Sequence, residues 1–218
     1  EKIVRCTKRG VMSVSFINKL FKSKSNDDFC TAVVLAAGNS QRMGKDKILM
    51  PLGGAPVIAH TLKALQSAEC IDEIVVVTKY ERLQELADIC HDHGISKASK
   101  VVVGGKTRLE SSLIGNADER AKYIAIHDGA RPFVTNSLIE RVVHSAHQHG
   151  ASAPAVSATD TVRILNVKGA VVETPSRDLV ALMQTPQVFR AELIRPALAD
   201  AVRLGVQLTD DCAAGMLM

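Results

Sequence analysis

Residues 29–218 predict one α/β domain, with a mostly parallel sheet flanked by helices and one inserted β-hairpin. Three observations predict it. Short runs of small and β-branched residues recur from Thr31 onward, as expected of strands buried on both faces. Each run is followed by a segment with helical spacing of apolar residues. The rhythm breaks once, after Val156, where two short extended runs flank Asn166-Val167-Lys168-Gly169. Such an order is Rossmann-like, with an excursion before the last helix.

In chain order, Thr31–Ala36 is the first strand and breaks at Gly38. Ala55–Ser67 is a helix, with Val57, Ile58, Thr61, Leu62 and Leu65 on one side. Ile74–Thr78 is a β-branched strand and Arg82–Cys90 a second helix. Lys100–Val103 is a strand ending in Gly104-Gly105, and Leu109–Ala117 the next helix. Tyr123–Ile126 is a strand running into His127-Asp128-Gly129. Asn136 or Ser137 caps a helix reaching towards His149, and Ala151–Val156 follows as a strand. Thr161–Leu165 and Ala170–Glu173 form the hairpin, and Ala191–Leu204 is the closing helix.

Composition narrows the function. Hydrophobic residues make up 46% of the chain, aromatics 3% and Trp none, so the core is built from Val, Ile, Leu and Ala. No apolar run approaches the roughly 20 residues of a membrane helix. The five cysteines are scattered, without CxxC or histidines at metal-site spacing, which argues against a disulfide framework or structural zinc and for a reducing compartment. The net charge of +4 lies in residues 1–28, where seven Lys/Arg face three Asp/Glu. The rest of the chain balances, so the domain has no basic surface for reading nucleic acid. Residues 1–28 are expected to be a basic, flexible extension, either plain or a targeting remnant, and they lack the apolar centre of a secretory signal.

In open α/β sheets, ligands bind beyond the carboxyl ends of the strands. Three such ends carry polar or glycine-rich loops. The first, Ala36-Ala37-Gly38 to Lys47, has small residues that let an anion approach the backbone, with Arg42, Lys45 and Lys47 as charges. It lacks GxGxxG, and a βα turn with a solvated basic patch is the competing reading. The second contains Gly105-Lys106-Thr107 but is no P-loop, because position 100 is Lys where that motif needs Gly. Gly104-Gly105 admits a ligand close to the backbone, and Lys106, Arg108 and Ser111 offer donors; a tight turn with a helix cap explains it equally. The third, His127-Asp128-Gly129-Ala130-Arg131, offers Asp128 to Mg²⁺ or a ribose hydroxyl and Arg131 to phosphate. His127 is either a packing histidine or a ligand contact. Thr209-Asp210-Asp211 adds Asp211 as a second magnesium-facing acid, or else a helix cap. Donors for phosphate outnumber carboxylates and no nucleophile motif is present, which suits phosphoryl or nucleotidyl transfer.

Taken together, Ala36–Gly44, Lys47 with Pro51-Leu52-Gly53-Gly54, Gly104-Gly105 with Arg108 and Ser111, His127–Pro132, Asp160-Thr161, Thr185-Pro186-Gln187 and Thr209-Asp210-Asp211 carry a resemblance. The sequence resembles the 2-C-methyl-D-erythritol 4-phosphate cytidylyltransferase family of non-mevalonate isoprenoid synthesis over residues 30–218. The resemblance implies transfer of CMP from CTP with Mg²⁺, Arg42 and Lys47 acting on the phosphates in the transition state. It implies a cytidine pocket of Ala36, Ala37, Gly38, Gly105, Lys106, Ser111, Asp128 and Gly129; the Lys106 position is often acidic in relatives. Arg131, Thr161 and Arg177 would hold the polyol phosphate. The hairpin, about residues 159–180, would be a homodimerisation arm that carries Thr161 and Arg177 towards the neighbouring subunit's site. No nucleic acid or membrane is implied. The site would be cytoplasmic in a bacterium, or plastid-type if residues 1–28 are a targeting remnant.

Two departures stand out. Asp46-Lys47-Ile48 replaces the Pro-Lys-Gln usual in the family, after a shorter loop. Relatives also continue past the Thr-Asp-Asp motif, so the C-terminal end is expected to be missing and activity to be weak. Ribitol-5-phosphate or glycerol-phosphate cytidylyltransfer, and non-catalytic nucleotide binding, are the alternatives.

Overall fold

The computed structural model describes residues 2–6, 12–14, 28–38, 46–116 and 119–216. Among these, β3 (Cys30–Leu35), β6 (Glu73–Thr78), β7 (Ala98–Val103) and β8 (Tyr123–Asp128) form the parallel half of the main sheet. Val33 pairs with Val75 on one side and Ile126 on the other, which makes β3 a central strand. Helices α1 (Val57–Ser67), α2 (Leu83–Asp92), α3 (Arg108–Gly115) and α4 (Asn136–His149) intervene or follow, close to the expected spans.

The two faces are filled by alternate residues of the same strands. Ala32, Val34, Ile74, Val76 and Ala125 pack with Ile58, Leu62, Leu65, Leu86, Ile139 and Val142 of α1, α2 and α4. Val33, Val75, Val77, Ile124 and Ile126 pack on the opposite side with Leu109 of α3 and with Ile194 and Leu198 of α5 (Ala191–Arg203). Burial on both faces is why the strands read as unbroken apolar runs.

The expected mostly parallel sheet is in fact mixed. β9 (Ala151–Ser157) lies beyond β13 (Gln187–Arg190), and β13 runs antiparallel to both β8 and β9. The reason is topological. The excursion after β9 leaves and returns at the same end of the sheet without a crossover helix, so the returning strand must run backwards. β12 (Ala181–Met183) pairs with the later half of β9, and β13 takes the earlier half.

Within the excursion, β10 (Ile164–Leu165) and β11 (Val171–Glu173) form the expected hairpin. Asn166 builds its turn: the side-chain oxygen accepts from the Lys168 and Ala170 amides at 2.9 and 3.1 Å, and Gly169 takes φ +80°. A second hairpin was not expected. β4 (Pro51–Leu52) and β5 (Ala55–Pro56) turn through Gly53 and Gly54 at φ +55° and +87°, delaying the start of α1 to Val57. Both central residues of such a tight turn need positive φ.

Near the start of the chain, β1 (Lys2–Cys6) pairs antiparallel with the edge of β9 and β2 (Met12–Val14) pairs with β1; the rest of residues 1–27 lies outside the described residues. An unpaired edge offers a row of backbone donors and acceptors, which explains why an aperiodic segment can still add there. Among the described residues, no helix is long and apolar enough to cross a membrane.

Candidate active site

The loops after β3, β7 and β8 meet at the carboxyl edge of the parallel strands. Backbone hydrogen bonds set their exits: Ala36 N–H donates to Val77 (2.7 Å), Gly104 N–H to Thr78 (2.8 Å) and Gly129 N–H to Leu35 (2.9 Å). A Cβ on Gly104 would stand 2.6 Å from Ser111 Oγ and 3.0 Å from the Ala37 side chain, so the first and second loops touch there. A Cβ on Gly129 would meet Ile58 at 2.6 Å and the Leu35 carbonyl at 3.1 Å. Thr61, one turn further along α1, donates to the Gly129 carbonyl at 2.9 Å. Small residues are required here because the loops have no room for side chains between them.

Of the expected site residues, Ala36, Ala37, Gly38, Gly105, Ser111, Asp128 and Gly129 lie on these meeting loops or on the first turn of α3. Thr107 caps α3, accepting from the Glu110 amide, and Ser111 is buried with its hydroxyl bonded to the Thr107 carbonyl at 2.9 Å. Lys106 is exposed, and its backbone N–H donates to the Glu110 carboxylate at 2.7 Å. Lys47 opens a 3₁₀ turn, Lys47–Leu49, at the foot of α1. Next to it, Asp46 pairs with Arg82 at 3.1 Å. Arg42 and Lys45 lie outside the described residues.

Thr161 and Arg177 are both exposed on the arm. Arg177 donates to the Thr159 carbonyl at 3.4 Å. Among the described residues, the cluster around Asp128 includes neither of them.

That cluster is the chemical centre of the edge. The Arg108 guanidinium donates to Asp211 through one terminal nitrogen and reaches Asp128 at 3.4 Å through the other. Arg131 Nε donates to the second Asp128 oxygen at 2.9 Å, and its Nη1 donates to Gln184. Burial alone would raise the Asp128 carboxyl, but Arg108 and Arg131 outweigh it and hold the pKa below the usual value. Asp211 goes the other way: burial pushes it up and Arg108 only partly offsets this. Arg108, opposed by its own burial, is made more firmly cationic by the two acids.

Asp128 and Asp211 were expected as a magnesium-facing pair. They converge, but on a shared guanidinium. Asp211 is fully buried, and among the described residues no three His, Cys, Asp or Glu side chains gather as a metal would need. The acid pair therefore does not fit a protein-held Mg²⁺, since an ion needs oxygens that are not already committed to arginine.

His127 resolves as a packing histidine. It is fully buried, Nδ1 meets the Thr185 hydroxyl at 2.9 Å, and desolvation lowers its pKa to about 4, so it is neutral. Sequence reasoning missed the part played by Gln187. Its side-chain oxygen accepts from the Asp211 and Cys212 amides, both at 3.0 Å, and its nitrogen donates to Asp210 at 3.0 Å. These bonds cap α6 (Asp211–Met216) and seat Asp211 in the core. The only signal for them was the Thr185-Pro186-Gln187 motif itself.

In a mixed α/β sheet the loops at the carboxyl edge of the parallel strands are where a nucleotide binds, and comparison with known proteins places the chain among the nucleotidyltransferases. The chain belongs to the 2-C-methyl-D-erythritol 4-phosphate cytidylyltransferase family, whose model matches residues 30–217. The enzyme of that name from Clostridium botulinum (strain ATCC 19397 / Type A) is 35% identical over 185 residues, covering 83% of this chain and 81% of the relative. The solved 4-diphosphocytidyl-2C-methyl-D-erythritol synthase of Anaerococcus prevotii superposes with a TM-score of 0.77 at 29% identity, over 87% of this chain and 82% of that one. The Francisella tularensis 2-C-methyl-D-erythritol 4-phosphate cytidylyltransferase gives 0.70 at 27% identity, over 87% and 86%. Membership implies use of CTP and Mg²⁺.

Proposed function

We propose that the chain transfers CMP from CTP to 2-C-methyl-D-erythritol 4-phosphate. A phosphate oxygen of the acceptor forms a bond to the α-phosphorus of CTP as the bond to the β-phosphate oxygen breaks. Pyrophosphate leaves with that electron pair, and the product is 4-diphosphocytidyl-2-C-methyl-D-erythritol. Family membership supports this reading, and the meeting of the Ala36, Gly104 and Asp128 loops is the observation that carries it. Charge develops on non-bridging oxygens, so cations that bind those oxygens more strongly in the transition state accelerate the step.

In this reading Arg42 and Lys47 supply that charge. Gly38, Gly105, Lys106, Ser111 and Gly129 line the nucleotide side with the Ala36-Ala37 backbone, and Asp128 receives the ribose. Arg131, Thr161 and Arg177 take the acceptor, the last two across a dimer formed by the arm. Apolar residues exposed along the arm, among them Leu165, Val167 and Leu179, support a second copy packing there.

The test is pyrophosphate release from CTP with methylerythritol phosphate, ribitol-5-phosphate and glycerol phosphate in turn. Methylerythritol phosphate should be preferred. Lys47→Ala should lower kcat roughly 100-fold or more, the scale of losing a transition-state charge contact. Arg177→Ala should mainly raise the KM of the acceptor. Preference for another acceptor would overturn the substrate, and unchanged turnover in Lys47→Ala would remove that residue from the reaction.

A further inference from the structure

The ion pair between Arg108 and Asp211 does something the proposed chemistry has not used. Asp211 opens α6, 103 positions from Arg108, and its side chain is 0% exposed. One carboxylate oxygen accepts from Arg108, and the buried Ser112 hydroxyl beside it also lowers the carboxyl's pKa, although Oδ1 makes no hydrogen bond of good geometry among the described residues. A buried carboxylate is costly, and replacing such an ion pair as a whole by neutral or apolar groups of similar size is often at least as stable. Its presence points to a demand other than stability.

The demand lies on the far side of the guanidinium. Arg108 is the first residue of α3, the helix whose opening turn carries Ser111 at the nucleotide side of the site. Its planar fork serves two carboxylates at once, Asp211 behind it and Asp128 in front. Asp128 is also drawn by Arg131 through its other oxygen, on the acceptor side. The direction in which Asp128 presents its oxygens is thus set by two opposing guanidinium groups, and Asp211 anchors one of them. Gln187 in turn fixes the Asp211 backbone from β13.

We propose that Asp211 and Arg108 form a positioning relay that orients the Asp128 carboxylate towards the ribose of the nucleotide, so that CTP affinity depends on a residue buried outside the pocket. The inference rests on the cytidylyltransferase reading above. Arg108 and Asp211 are positioning residues in it, acting through Asp128. A lysine at 108 has no fork to bridge two acids, and an asparagine at 211 keeps its shape but loses the charge that anchors the guanidinium.

The variants Asp211→Asn and Arg108→Lys are compared with wild type for CTP Kd by calorimetry, for KM of each substrate, for kcat and for Tm. Each should raise CTP Kd and KM roughly tenfold, the effect of one charge-assisted hydrogen bond, with acceptor KM nearly unchanged. Because each single variant leaves an unpaired charge, the double variant Arg108→Gln/Asp211→Asn is included, since it removes both charges of the pair together. A Tm close to wild type with CTP Kd still raised supports the relay. Folded variants with wild-type CTP Kd and KM, and only a lowered Tm, overturn it and leave the pair a structural contact. Wild-type protein that neither binds nor consumes CTP would overturn the function and the relay together.

Discussion

Replacing Gly115 with alanine tests how tightly α3 is held against the sheet. Gly115 is the last residue of the helix and is buried. A Cβ there would stand 2.3 Å from Val33 Cγ1 and 2.8 Å from Val77 Cγ2. Carbon atoms in favourable contact are about 3.5–4.0 Å apart, so something must move by roughly 1 Å. The valines are poor candidates. Both are fully buried on neighbouring central strands, and β-branched side chains have few rotamers to escape into. The helix must therefore lift, at an overpacking cost of about 1–3 kcal/mol. Alanine's better helix propensity offsets at most about 1 kcal/mol, and less at a terminal position. The net loss should be about 1–2 kcal/mol, which for a chain of this size is a Tm fall of roughly 2–8 °C. Urea titration should show a lower midpoint with unchanged slope. Since α3 carries Arg108 and Ser111, CTP KM should rise as well. A variant as stable as wild type would refute the reasoning, because it would mean that the contact between α3 and the sheet is not close-packed.

Two further outcomes follow from buried polar groups. His127 is neutral in the fold with a pKa of about 4, so the unfolded chain binds the extra proton between about pH 6.5 and 4. Its contribution is complete above about pH 6.5 and is lost as pH falls towards 4, amounting to about 3 kcal/mol; urea midpoints across that window should slope less in His127→Gln, and equal slopes would exclude His127 as the cause. Glu73 accepts from Thr31 at 2.9 Å, Ser99 at 2.6 Å and Arg120 at 2.8 Å. Glu73→Ala strands the buried Thr31 hydroxyl, while the exposed Ser99 and Arg120 turn to water, and should cost about 1–3 kcal/mol in denaturation, yet leave CTP KM unchanged because Glu73 begins β6 at the edge opposite the site; a raised KM would contradict that placement.

Much of the fold is legible in residues 29–204. The valine and isoleucine runs at β3, β6 and β8 are continuous because both faces are buried, and α1 and α4 show their apolar side plainly. Capping was read a position or two late: Thr135 caps α4, accepting from the Leu138 amide, because the chain is still extended there and turns helical only at Asn136. The strand β1 carried no periodic signal, since pairing at a sheet edge uses backbone groups that every residue has. Lys106 was read as a pocket residue at a position often acidic in relatives, and the carboxylate that folds back over its loop is that of Glu110, four residues on.

What the sequence by itself determined is the alternation of buried strands and amphipathic helices, the hairpin turn at Asn166–Gly169, and the three strand-end loops with residue types suited to phosphate. Each follows from local spacing, because burial and turn geometry act over a few neighbouring residues. Only the tertiary structure decided the reversed direction of β13, and the pairing of the acids. Asp128 and Asp211 looked alike as candidate metal ligands, both acidic and both close to predicted element ends. Their difference depends on where Arg108 lies in space, and on Gln187 drawing Asp211 into the core. Electrostatic partnership depends on distances between remote parts of the chain, and spacing along the sequence carries no record of them.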